Sequence, residues 1–130
     1  MITLIPLAGS FTISQVSDYG KIPPEIFESE FFSITKTGEE ISVITNCTTK
    51  LPGIKSSEGW KAFRVKGILD FSLVGIINEI TGPLKDHKIT VIVISTFNTD
   101  YIFVPEESFR KAIDVFRLSG SINVKEENTI

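Results

Sequence analysis

Aliphatic side chains branched at Cβ dominate this sequence, with 20 Ile and 9 Val against 7 Leu and 3 Ala among its 130 residues. Branching at Cβ restricts χ1 and suits a pleated surface better than a helix, so the chain must be rich in strand. Two stretches nevertheless carry helical spacing. Leu73, Ile76, Ile77, Ile80 and Leu84 fall at i, i+3, i+4, i+7 and i+11, the stripe of one buried helix face. Phe109, Ala112, Ile113 and Phe116 repeat that stripe at i, i+3, i+4 and i+7. Asp70 or Ser72 can cap the first helix, and Gly82-Pro83 should kink or tighten its last turn. Pro105-Glu106-Glu107 suits the first turn of the second, and Gly120 the position just past its end.

Around these helices the C-terminal half reads as βαββαβ. Residues 60–68 alternate, with Phe63 and Val65 on one face and Arg64 and Lys66 on the other, a strand with one wet side. Residues 89–96 form a nearly unbroken apolar run, expected to be a strand covered on both faces. Phe97-Asn98-Thr99-Asp100 is turn chemistry leading into a returning strand, Tyr101–Val104. A helix over about 106–118 and a short strand at Ser121–Val124 complete a split βαβ, or ferredoxin-like, α+β unit. Earlier in the chain, residues 2–7 and 10–16 read as strands and 24–29 as a short helix. Phe31–Lys36 and Glu40–Asn46 read as a hairpin, and Lys50–Glu58 as a linker. The two hairpins resemble each other when Ile34–Ile41 is laid on Ile94–Tyr101, which places Glu40 opposite Asp100. The expected organisation is residues 1–57, residues 58–124 and a polar tail, 125–130.

Charge and rare residues exclude several function classes. Thirteen basic against sixteen acidic residues leave a net charge of −3, with no footprint for nucleic acid or an anionic membrane. The balance is 4 basic and 7 acidic up to residue 58 and 9 of each after it, so neither half implies a charged partner. No apolar run reaches the roughly 18 residues of a membrane span, and the N-terminus lacks a basic leader, which points to the cytoplasm. Cys47 and His87 are each the only residue of their kind, so a disulfide framework, a zinc cluster or a triad is hard to build. No cofactor or metal motif is present, and an enzyme is not expected. His87, at a helix end, and Cys47, at a strand end, read as structural.

Two polar segments interrupt otherwise apolar structure: Gly67–Gly75, where a strand end runs into a helix start, and Ser95–Asp100, at a hairpin tip. The first and third strands of a βαββαβ unit are neighbours, so both segments fall on one side of the sheet. A helix start offers unpaired N–H groups and Asp100 a fixed carboxylate, a pairing suited to the two charged ends of a free amino acid. The same residues also serve plain structural jobs: Asp70 and Ser72 as caps, Gly67 and Gly75 as packing glycines, Thr99-Asp100 as a turn. From the residues alone both readings stand.

The run WKAFRVKGILDFSLVGIINEITGPL, followed by ISTFNTDYIFV, resembles the ACT-domain family that includes the CASTOR arginine sensors and small bacterial tandem ACT-domain proteins. The string STFNTDYIFVPEE is its most specific part, and FFSITKTGEEISVI resembles the family's partial N-terminal unit. The resemblance covers about residues 3–122 and implies two ACT-like units in tandem, a partial one at 1–57 and a complete one at 58–124. It further implies a non-catalytic regulatory protein that binds an amino acid at a unit–unit interface, pairs as a two-fold homodimer and acts on a protein partner. By position, Gly75 and Ile76 would offer backbone groups, Phe97 would cover the ligand's aliphatic stem, and Asp100 would pair with a cationic group. Ser72 and Thr99 are further candidates. Val74 stands where the family pattern often has Thr, so one hydroxyl contact is lost, and Ile68 replaces a frequent Pro. The alternative is a scaffold module of the same fold that has lost the ligand.

Overall fold

The computed structural model describes residues 1–69 and 74–125. The strands are β1 (Ile2–Pro6), β2 (Phe11–Val16), β3 (Phe32–Lys36), β4 (Ile41–Thr45), β5 (Lys55–Val65), β6 (Ile92–Ser95), β7 (Asp100–Pro105) and β8 (Ile122–Val124). The helices are α1 (Ile76–Asp86) and α2 (Phe109–Leu118), the latter entered through a 3-10 turn, Glu106–Ser108. The chain divides into two compact units, Met1–Ala8 with the chain from Lys61 onward, and Gly9–Trp60.

In the first unit β5, α1, β6, β7, α2 and β8 follow in the βαββαβ order, and the sheet runs β6-β7-β5-β1-β8. β1 stands between the first and last strands of that motif, antiparallel to β5 and parallel to β8. Its Leu4 is fully buried in the core with Phe63 and Val65, which is why residues 1–8 belong with this unit. Ile80 and Leu84 of α1 and Ala112, Ile113, Val115 and Phe116 of α2 cover the same face. Phe63 anchors the layer, stacked on Phe109 at 5.2 Å and edge-on to Phe116 at 5.4 Å. The helical spacing is thus realised as a buried stripe. Gly120 takes a left-handed φ of 79° just beyond α2, where a side chain would be strained.

Several readings of the sequence change. α1 begins at Ile76, capped by Gly75; Asp70, Ser72 and Leu73 lie outside the described residues. The linker at 50–58 is partly strand, because β5 starts at Lys55 and pairs with β2 through Ser56 and Ser57. The apolar run 89–96 contributes only Ile92–Ser95 to a strand, and among the described residues β6 pairs with β7 alone, so it is an edge strand with half-buried side chains. Ile89 instead drops into the core, and Val91 and Val93 pack against it. The fourth change concerns the hairpin alignment and is treated below.

The second unit orders its strands β3-β4-β2-β5, using residues 55–60 of β5. One apolar cluster in it is Val16, Ile22, Ile26, Ile41 and Val43, and Phe11, Ile44 and Trp60 are buried as well. The expected short helix is a 3-10 helix, Pro24–Glu28, which buries Ile26 in that cluster and is also held by polar ties. Ser29 Oγ donates to Ile26 O at 2.6 Å, and the buried Thr45 Oγ1 donates to Phe31 O at 2.8 Å.

Candidate functional site

The two polar segments picked out in the sequence meet in the first unit. Leu69 N–H donates to Asn98 O at 2.6 Å, and Thr99 Oγ1 donates to Val65 O at 2.7 Å. Both bonds follow from topology, since β7 pairs with β5 and brings the hairpin tip to the end of β5. The tip is a tight four-residue reversal. Ser95 faces Asp100 as the last ladder pair, and Thr96 N–H donates to Thr99 O at 2.8 Å. Thr96 Oγ1 adds a bond to Thr99 O at 3.0 Å and fixes the reversal's shape.

Between this tip and the start of α1 lies a cavity of about 570 Å³. One wall is Gly75, Ile76, Ile77, Asn78 and Thr81 from the helix; the other is Ser95 through Asp100, with Leu69 closing the side. Gly75 adopts φ 83°, a left-handed conformation that turns the chain into α1, and a Cβ built there meets nothing within 4 Å. Glu79 N–H makes the first helical bond, to Gly75 O at 2.9 Å, so the amides of Ile76, Ile77 and Asn78 have no partner within the helix. Those amides and the helix dipole favour negative charge. Opposite them the half-buried Asp100 supplies negative charge itself, and its Oδ1 accepts from Ser95 Oγ at 2.5 Å. Leu69, Ile76, Ile77 and Phe97 give the lining its apolar surface. The arrangement offers neutral donors on the helix side, a carboxylate on the hairpin side and apolar lining surface with them.

Of the candidates named from sequence, Gly75, Ile76, Phe97, Thr99 and Asp100 line the cavity. Thr99 is buried and its hydroxyl is turned away to Val65, so only its backbone is at hand. Val74 is 93% exposed and is not part of the lining, because the turn at Gly75 leaves it outside. Ser72 lies outside the described residues. Ser95, Asn78 and Asn98 were not named as ligand residues. Ser95 was legible as the ladder partner of Asp100 once the turn was counted correctly. Asn78 could be found only by placing the helix start. His87 caps the far end of α1, its Nδ1 2.9 Å from Pro83 O, and Cys47 is half-buried with Sγ 3.9 Å from Glu25 O. Neither lines the cavity. Among the described residues no group of three His, Cys, Asp or Glu side chains is placed to hold a metal, and no helix is long and apolar enough to cross a membrane.

Fold and cavity together define a ferredoxin-like α+β domain with a candidate small-molecule site between a hairpin tip and a helix start. The family model of the ACT domain matches residues 55–117, and a second model, described as an N-terminal domain, matches residues 9–50. The chain belongs to the ACT-domain family. Over 102 residues, 72% of this chain, it is 34% identical to the human cytosolic arginine sensor for mTORC1 subunit 1. The match spans 31% of that protein, so the chain covers about a third of the length of the curated relatives it matches. A crystal structure of an Agrobacterium tumefaciens protein is 28% identical and superposes with a TM-score of 0.84, covering 99% of this chain and 97% of that one. The aspartate kinase of Clostridium acetobutylicum, described as an allosteric enzyme, shares the fold at a TM-score of 0.63 and 13% identity, over 91% of this chain and 33% of the enzyme.

Proposed function

We propose that this chain is a non-catalytic regulatory protein that binds a free amino acid in the cavity between Asp100 and the start of α1. The observation that carries the reading is the open volume of about 570 Å³ with a carboxylate on one wall and helix-start amides on the other. The ammonium of a zwitterion matches Asp100, and its carboxylate matches the amides of the first helical turn. The relatives support the same class, one named as an arginine sensor and another as an allosteric kinase. We take the chain as two ACT-like units in tandem, acting in the cytoplasm as a two-fold homodimer in which a unit of the second copy closes over the ligand. Phe97 at 80% exposed is the apolar side chain such a unit would cover. Ligand binding would then shift the pairing and present a surface to a protein partner.

Calorimetric titration of the full chain with the free amino acids tests this. At least one is expected to bind at millimolar concentration or below, and Asp100→Asn is expected to weaken it tenfold or more with the fold intact. Absence of binding by every amino acid would sink the reading. It would favour a scaffold of the same fold, for which one observation speaks: the Asp100 carboxylate and the Thr99 hydroxyl already have partners within the chain.

A further inference from the structure

We propose a second binding site, for a multiply charged oxyanion of the phosphate class, where Arg64, Lys66 and Lys125 converge over β1 on the sheet face away from the helices. The register builds it. Leu4 pairs with Val65 of β5 and with Val124 of β8, and all three side chains enter the core. Successive side chains alternate between the faces of a strand, so the residues flanking these three fall on the opposite face. There Ile5 pairs with Arg64, and Lys66 N–H donates to Thr3 O at 2.8 Å. On the far side of β1, Thr3 pairs with Asn123, and Lys125 N–H donates to Leu4 O at 2.9 Å. Two rows result, Arg64–Ile5–Lys125 and Lys66–Thr3–Asn123. None of these residues lines the cavity described above.

Neighbouring strands lie about 4.8 Å apart, so long side chains on β5 and past β8 reach one another across β1. Lys66 and Lys125 do meet, through a side-chain hydrogen bond, and Arg64 is close enough to repel the Lys125 charge. Among the described residues no carboxylate bonds to any of the three. Cations gathered without an acid repel one another, and an anion set among them replaces that repulsion with attraction. The Arg64 guanidinium presents a planar fork and the two lysines present point charges, a combination that matches phosphate oxygens. Thr3 and Asn123 stand beside them as neutral donors. Lys66 and Lys125 are exposed, so an anion reaches them from solvent, and half-buried Ile5 gives their aliphatic stems a surface to lie on. Even at the dielectric constant of bulk water, one charge pair about 4 Å apart changes affinity about fivefold, and a dianion squares that. Screening by salt takes part of it back, which leaves about tenfold per lysine.

Calorimetric titration of the full chain with inorganic phosphate and pyrophosphate at about 0.05 M salt tests this, with acetate as the singly charged control. Pyrophosphate is expected to bind at millimolar concentration or below, phosphate more weakly, and acetate at least tenfold more weakly than pyrophosphate. Lys66→Ala and Lys125→Ala, both on exposed side chains, should each weaken pyrophosphate about tenfold with the melting temperature little changed. Asp100→Asn should leave pyrophosphate binding as it is, which separates this site from the amino-acid reading. Absence of pyrophosphate binding overturns the proposal, as does binding that survives in the Lys66→Ala/Lys125→Ala double variant. Glu126 and Glu127 follow Lys125 in the sequence. Pyrophosphate binding that appears only in Glu126→Gln/Glu127→Gln would make the chain's own acids the occupant and overturn the proposal as well.

Discussion

Two hairpins with the same turn chemistry come to different ends in the two units. In β3–β4, Lys36 faces Ile41 and Thr37 N–H donates to Glu40 O at 2.9 Å. In β6–β7, Ser95 faces Asp100 and Thr96 N–H donates to Thr99 O at 2.8 Å. In both, the threonine hydroxyl at the same step binds backbone across the turn. The structures therefore align Thr37 with Thr96, one residue away from the match that hydrophobicity had indicated. Glu40 corresponds to Thr99, and Asp100 to Ile41. A one-residue slip in a strand exchanges its two faces, so the two acids are not equivalents. Glu40 is exposed and accepts from Ser42 Oγ at 2.6 Å, whereas Asp100 looks into a cavity. What separates them is the neighbouring element. The Gly9–Trp60 unit packs a 3-10 loop against its strands with polar ties such as Ser29 to Thr45, at 3.1 Å. The unit from Lys61 onward has full helices, and the start of α1 leaves room beside the tip. Shared turns do not make shared sites.

The largest test of this contrast is in the cores. Phe63→Ala removes the ring on which Phe109 and Phe116 pack and is expected to cost about 3–5 kcal/mol in urea unfolding. Ile26→Ala, in the aliphatic cluster of the other unit, falls lower within a range of about 2–5 kcal/mol. Equal losses would show that the Phe63 ring anchors its unit no more than Ile26 anchors the other. Next comes the ligand. An amino acid at about 100 times its Kd stabilises the protein by about 2.7 kcal/mol. Thermal melts should show that gain shrink in Asp100→Asn and persist in Glu40→Gln. If Glu40→Gln removes it too, the hairpins are functional equivalents after all.

Smaller effects sharpen the turns themselves. Thr99→Val strips the buried hydroxyl bonded to Val65 O and is expected to cost about 1–3 kcal/mol. Thr37→Val, on an exposed tip, should stay within about 0.5 kcal/mol. The smallest effect lies just past the ends of β5 and β8. Lys66 holds the Lys125 ammonium below its usual range, because the neutral Lys125 amine accepts a hydrogen bond from Lys66 and because Lys66 and then Arg64 repel its charge. A base whose folded-state pKa is depressed is less protonated when folded, so stability rises slightly as pH climbs from that lowered value toward 10.5. In Lys66→Ala that rise should flatten, and an NMR titration should move Lys125 back up.

Much of the fold was legible in the residues. The period of Ile76, Ile77, Ile80 and Leu84 marked α1 because a helix face repeats every three to four residues whatever surrounds it. The apolar run 89–96 misled because hydrophobicity alone does not distinguish a covered strand from an edge strand whose leading residues dive into the core. Lys55–Glu58 looked like a linker because serine and lysine carry no strand pattern, and only pairing with β2 holds them extended. Asp100 and Gly75 stood out in the residues because an acid and a glycine interrupt apolar strands, and Phe97 came from the family resemblance; all three line the cavity. Val74 and the Thr99 hydroxyl could not be assigned, since their directions depend on the turn at Gly75 and on the approach of Val65.

By itself, then, the order of residues determined most of the strands, both helices and the hairpin tip that lines the cavity, because backbone propensity and periodicity are local properties. Tertiary structure decided where β1 inserts, which side chains turn inward and whether space is left between the hairpin tip and the helix start. Those are outcomes of packing between segments far apart in the chain, where a shift of one residue in register exchanges buried for exposed.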